Sequence, residues 1–256
     1  MDFGTMLDES FSYAKEGVWG KWKRWLLLMI SVIIFPLILG YIVRVYRGEK
    51  PAPEPEHWGS LFIDGLKMLV VCLIYALPII LLVIAAFLPL VSTFVSAGAL
   101  SMNFEAMTDA QVESWMVSNP EIFSAMGTML VLLLVAVILA IVIYIFSFMG
   151  VIQFARTGRI GDGFNFSEIL ARIGRIGWLS YIAALIIISI ISFVFCMLLQ
   201  IFTIIPGIGE FVSFAVMIML YPPYVMFVCR YSVHVYDSGE PAAPAPAEQL
   251  LTKGSL

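Results

Sequence analysis

Charge is scarce in this chain: only 12% of its 256 residues are Asp, Glu, Lys or Arg. A soluble domain carries roughly 25%, so an ordinary cytosolic fold is excluded, and so is a charged disordered chain. The 14 basic and 18 acidic residues leave a net charge of -4, without the basic excess that a nucleic-acid backbone requires; no nucleic-acid partner is expected. Three cysteines and two histidines are too few for a disulfide framework or a metal cage. No cofactor or metal is expected.

The residues of catalysis are missing too. His57 and His234 are not in an HExxH arrangement, and no Ser sits in G-x-S-x-G. Cys72, Cys196 and Cys229 lie far apart in apolar runs, where a free Cys behaves as a small hydrophobe. Gly158 to Gly163 lacks the Lys of a phosphate loop. Gly161-Asp-Gly163 is only loosely like an intramembrane aspartyl protease motif, and no second membrane Asp completes a pair. Acid, base and nucleophile cannot be assigned, so enzyme activity is not expected.

What is present is apolar: 61% of the residues are hydrophobic and the mean hydropathy is +1.00. A membrane helix needs about 20 consecutive apolar residues. Five runs approach or exceed that length, at 25–46, 66–95, 128–152, 178–205 and 211–235. The expected fold is an all-α membrane protein, a bundle of four to five transmembrane helices with interfacial amphipathic helices. Residues 1–24 read as a cytoplasmic amphipathic tail without the pattern of a cleavable signal peptide. Residues 25–236 read as one helical membrane domain. Residues 237–256, rich in Ala and Pro, read as a disordered tail.

Lys and Arg favour the cytoplasmic side of a membrane. Arg44, Arg47, Lys50 and Lys67 fall in one loop, and Arg156, Arg159, Arg172 and Arg175 in another, whereas 96–127 has neither Lys nor Arg. The expectation is a multi-pass plasma-membrane protein with the acidic 96–127 loop outside and the C-terminus inside. The first run breaks the alternation, because Lys15, Lys21, Lys23 and Arg24 precede it and a basic loop follows. Pro36 divides it into halves too short to cross, so it is read as a re-entrant hairpin or interfacial wedge. The alternative is a kinked crossing helix with the N-terminus outside.

Two amphipathic stretches precede spans. Trp58, Leu61, Phe62, Gly65, Leu66 and Leu69 share one face, and so do Phe166, Ile169, Leu170, Ile173 and Ile176, the latter behind an Asn165/Glu168 cap. Thr108 and Gln111 form a capping box for a short helix in the outer loop. Arg156, Arg159, Arg172, Arg175 and Arg230 are candidate contacts to anionic lipid at the cytoplasmic face, with plain anchoring as the alternative. Ser189, Ser192, Cys196, Gln200 and Thr203 form a polar stripe on the fourth span, and Ala136, Ala140 and Ser147 make a comparable small-residue face on the third. The stripe is either a helix-packing face or the lining of a hydrated crevice.

Gly40-Tyr-Ile-Val-Arg-Val-Tyr-Arg-Gly-Glu49 ends the first run, and Pro53 is followed by Trp58-Gly-Ser-Leu-Phe-Ile-Asp-Gly-Leu-Lys67. With Leu77-Pro78 and Arg156-Thr-Gly-Arg-Ile-Gly-Asp-Gly-Phe164, these motifs resemble the domain of unknown function 4013 family of prokaryotic, largely archaeal, integral membrane proteins. Glu54-Pro55 departs from the family pattern. The resemblance implies a helical membrane architecture and no activity. The functional expectation is a non-enzymatic protein that organises the membrane or forms complexes, as a homo-oligomer or with membrane partners. A facilitator for an uncharged or lipid-like substrate is the alternative.

Overall fold

The structure is a computed structural model, described over residues 1–99, 102–103 and 106–240. No strand occurs among the described residues, which form nine α-helices. Four are long and apolar enough to cross a membrane: α4 (Trp58–Ser96), α6 (Glu121–Thr157), α8 (Trp178–Gln200, continued by a 3-10 turn to Ile204) and α9 (Gly209–Asp237). The multi-span all-α expectation therefore holds. The helices divide into two compact units, Met1–Leu69 with the chain from Met149 onward, and Val70–Phe148.

The first unit begins with α1 (Phe3–Val18), capped by Asp2, whose carboxylate accepts from the Thr5 amide at 3.2 Å and the Thr5 hydroxyl at 2.8 Å. Ser10, Tyr13, Ala14, Gly17 and Val18 recur at helical spacing and are buried, and α1 packs chiefly along α9. The expected amphipathic tail is thus a docked helix.

The first apolar run is two helices, α2 (Trp22–Ile33) and α3 (Phe35–Tyr46). Ile34 leaves helical geometry at φ -96°, ψ 81°, and Pro36 is the second residue of α3, in the first turn, where its missing N–H costs nothing. Each half has twelve residues and spans about 18 Å at 1.5 Å per residue. That falls well short of the roughly 30 Å hydrocarbon layer.

The stretch from Trp58, expected as a separate lead-in, is instead the first three turns of the 39-residue α4. Its charge at Asp64 has a partner in Arg47 at 2.8 Å, so nothing forces the helix to break there. The other amphipathic stretch is a separate helix, α7 (Phe166–Ile176), with Asn165 Oδ1 accepting from the Glu168 amide at 3.3 Å. A 3-10 turn, Ile160–Phe164, precedes it.

α8 and α9 form a tight hairpin. Ser213 Oγ donates to the Leu199 carbonyl at 3.0 Å, and the rings of Phe195 and Tyr224 stack at 4.0 Å between centroids. Two prolines, Pro222 and Pro223, lie inside α9. Pro223 has no N–H for the Met219 carbonyl; the Trp25 indole N–H of α2 donates to that oxygen instead, at 2.9 Å.

The second unit contains most of α4 and α6 and the helix between them, α5 (Asp109–Ser118). The expected Thr108 box is present, with the Thr108 amide donating to Gln111 Oε1 at 2.9 Å. Phe94 and Trp115 rings meet at 5.9 Å, and Ala86, Ala125 and Ala136 are buried. The tail from 241 onward, expected to be disordered, lies outside the described residues.

Candidate functional site

The most elaborate polar construction lies where α2, α3 and the start of α4 meet. α3 and α4 cross with backbones in contact: a Cβ on Gly40 would stand 1.8 Å from the Leu61 carbonyl oxygen. Only a residue without a side chain fits there, and such small residues let membrane helices approach closely. The crossing holds the loop 47–57 between the two ends of the α2–α3 pair.

Glu54, in that loop, ties both ends together. Arg24, at the start of α2, hydrogen-bonds Glu54 Oε1 through Nη2 and the Gly17 carbonyl through Nη1 at 3.2 Å. Arg44, near the end of α3, donates to the Glu54 carbonyl at 3.1 Å and to Ser60 Oγ at 3.1 Å. Arg47 adds its bond to Asp64 and donates from Nε to the Ala155 carbonyl at 3.3 Å. The hydrogen bond from Arg24 holds the Glu54 carboxyl below the ordinary carboxylate range, and Lys21 and Lys23 add to the effect. The same bond raises Arg24 against its partial burial.

Beside this joint lies a cavity of about 640 Å³ walled by Lys21, Lys23, Arg24, Glu54, Glu56 and Trp58. Arg24 is only 5% exposed and its Nε has no hydrogen-bond partner. The cavity lining thus combines basic side chains with two carboxylates and an indole.

A second polar set runs along the α1–α9 contact. Glu9 Oε2 stands 3.4 Å from His234 Nε2, the Arg230 guanidinium lies 5.3 Å from the Tyr13 ring, and Gly17 abuts Met226. These pairs step by one helical turn on both helices, in opposite chain directions. Burial raises the Tyr13 phenol well above its usual range.

A third set clamps the end of α9. Arg172 lies 3.8 Å over the Tyr236 ring and donates to the Tyr236 carbonyl at 3.2 Å. Arg175 Nε donates to the Gly239 carbonyl at 2.7 Å, and Arg156 Nη2 to Asp237 at 2.5 Å.

Of the residues singled out from the sequence, Arg156, Arg172 and Arg175 therefore share one cluster around the last turn of α9. Arg230 is buried under α1, and Arg159 is exposed, paired with Asp162 at 2.9 Å. In the α8 stripe, Ser192 accepts from the Tyr224 hydroxyl at 2.8 Å, which joins it to α9. Ser189 and Thr203 donate to carbonyls of their own helix turn at 2.7 Å. Ser189, Cys196, Gln200 and Thr203 are exposed. Among the described residues no group of His, Cys, Asp and Glu is arranged to hold a metal ion.

Sequence reasoning missed Glu9, Tyr13, Arg24 and Glu54. The stripe of Ser10, Tyr13, Ala14, Gly17 and Val18 was a readable sign that α1 has a buried face; the Arg24–Glu54 pair had no local signature.

The family model described as "Protein of unknown function (DUF4013)" matches residues 25–205. No curated protein and no solved structure matches the chain. The matched span contains Gly40, Arg44, Arg47, Asp64 and Gly65, so the motifs that carry the resemblance build the α3–α4 side of the joint, while Arg24 lies just before the match.

Proposed function

This chain belongs to the domain of unknown function 4013 family, and we propose that it is a non-enzymatic membrane-organising protein whose α2–α3 hairpin wedges into one leaflet from the cytoplasmic side. The observation that carries this reading is the meeting of Arg24 and Arg44, from opposite ends of the hairpin, on the single residue Glu54. A crossing segment would hold its two ends a bilayer apart.

The surface of the hairpin supports the reading. Ile33, Ile34 and Phe35 at its tip are exposed, as are Trp22, Leu26 and Ile30 along α2, while Lys21, Lys23 and Arg24 mark its base. Apolar tip, indole flank and basic base are the features of an element embedded from one side. A wedge of about 18 Å reaches roughly the middle of the hydrocarbon and expands one leaflet only. The four spanning helices anchor it in what we take to be the plasma membrane, C-terminus inside, and Arg159 with the exposed face of α7 suits contact with anionic lipid. Homo-oligomers or a membrane complex would multiply the effect.

The test is cysteine labelling in intact cells, with Cys72, Cys196 and Cys229 replaced. Lys21→Cys and Glu49→Cys should react with an impermeant maleimide only after the inner face is opened, and Ile34→Cys should stay protected. Labelling of positions 21 and 49 from opposite sides overturns the wedge. Purification in native lipid should recover specific lipids or partner proteins; a single bare species counts against the organising role. The exposed α8 stripe favours the second reading, a facilitator for an uncharged or lipid-like substrate, which requires substrate flux into liposomes.

A further inference from the structure

We propose that the cavity at the base of the hairpin binds the headgroup of a zwitterionic phospholipid, with the phosphate on Lys21 and Lys23 and the ammonium on Glu56 and Trp58. It rests on the wedge reading in one respect, that the hairpin base lies in the headgroup layer.

The cavity holds about 640 Å³ and is partly open, large enough for a phosphoethanolamine group. Its charges are already partly matched. Glu54 is spoken for by Arg24, which leaves two ammonium groups, Lys21 and Lys23, and one carboxylate, Glu56. Lys21 is also the N-cap of α2 and supplies no side-chain acceptor for the first-turn amides, so this end of the helix keeps a positive potential that favours a nearby anion. These groups favour a phosphate.

A phosphate alone would leave Glu56 facing an added negative charge. An ammonium tethered two carbons away removes that conflict, because it can approach the carboxylate while the indole of Trp58 offers a π face, an arrangement that favours cations. Trp58 is also the first residue of α4, a membrane-crossing helix, and Trp22, 66% exposed, begins α2. Indoles concentrate at the level of lipid headgroups. The cavity between these two helix starts is therefore placed for a lipid and not for a soluble phosphate ester.

The experiment uses the full chain in detergent micelles, titrated with phosphatidylethanolamine, phosphatidylglycerol or inorganic phosphate, with adducts counted by native mass spectrometry. The wild-type chain should retain phosphatidylethanolamine at least five-fold better than phosphatidylglycerol. Lys21→Ala/Lys23→Ala should lose most of that retention, and Lys21→Arg/Lys23→Arg should recover it. Glu56→Gln should lower phosphatidylethanolamine binding and abolish or reverse the preference. Both lysines and Glu56 are exposed, so the substitutions leave the packed core alone; Lys15→Ala, which removes a positive charge outside the cavity, should bind as wild type. Equal retention of the two lipids, unchanged retention in the double variant, or full competition by inorganic phosphate overturns the proposal. Micelle binding does not depend on how the hairpin sits in a bilayer, so its failure is distinguishable from a failed labelling test.

Discussion

Gly40 of α3 and Gly65 of α4 lie backbone against backbone: a Cβ on Gly65 would stand 2.8 Å from the Gly40 nitrogen and 1.7 Å from the Pro36 carbonyl oxygen. Neither obstacle is a flexible side chain that could swing away. Adding a methyl group forces the helices apart, and the Arg44 and Arg47 bonds across the joint must stretch with them.

Gly65→Ala should therefore destabilise the protein by about 3 kcal/mol, the upper part of the range for overpacking, and Gly40→Ala by a similar amount. Gly174, inside α7, meets nothing within 4 Å; there Ala should stabilise by about 0.5–1 kcal/mol through reduced backbone freedom of the unfolded chain. Thermal unfolding in one detergent checks all three. A neutral Gly65→Ala would mean that the crossing is looser than the structure has it.

The Arg24–Glu54 pair makes stability depend on pH. Glu54 is depressed in the folded state, so the unfolded chain binds its proton more readily as pH falls through the ordinary value of 4.5. Its contribution is complete above that value and disappears as pH drops through the lowered folded-state value. Glu54 is 53% exposed, so solvent screening limits the pair to about 1 kcal/mol. Glu54→Gln should flatten the acid limb of a stability curve at that cost; an unaltered limb in the variant would assign the dependence to other carboxylates.

At the end of α9, Arg172 packs flat against Tyr236 and bonds its carbonyl. Stacking and a planar set of donors are properties of guanidinium that an ammonium lacks. Arg172→Lys should keep the charge but loosen the last turn, and amides from Tyr236 to Gly239 should exchange several-fold faster with deuterium. Tyr236→Phe retains the ring and should exchange as wild type. If Lys serves as well as Arg, charge alone holds the turn.

The spans were legible because they require no partner to be recognised. Twenty apolar residues answer to the bilayer whatever they pack against, and Pro36, Asn165 and Thr108 act on their own turns. The joint was not legible in the same way. Gly40 and Gly65 stand out as small residues, but nothing local says that they touch, and Arg24 finds Glu54 thirty residues later through a loop. The buried stripe on α1 shows which face packs, without showing that α9 is what it packs on. Intrahelical chemistry is written in short windows; the contacts that assemble the site cross from one window to another.

One such contact depends on a residue that removes a hydrogen bond. Pro223 leaves the Met219 carbonyl of α9 without its helical donor, and Trp25 of α2 supplies one at 2.9 Å. In the wild-type background Trp25→Phe should cost about 1 kcal/mol, the net worth of a hydrogen bond, beyond any change in packing. In a Pro223→Ala background the helix can supply its own N–H to Met219, so the same substitution should cost only the packing difference. The double-mutant cycle isolates that coupling, measured by thermal unfolding of all four chains. A coupling indistinguishable from zero would show that the indole docks α2 on α9 by contact area alone.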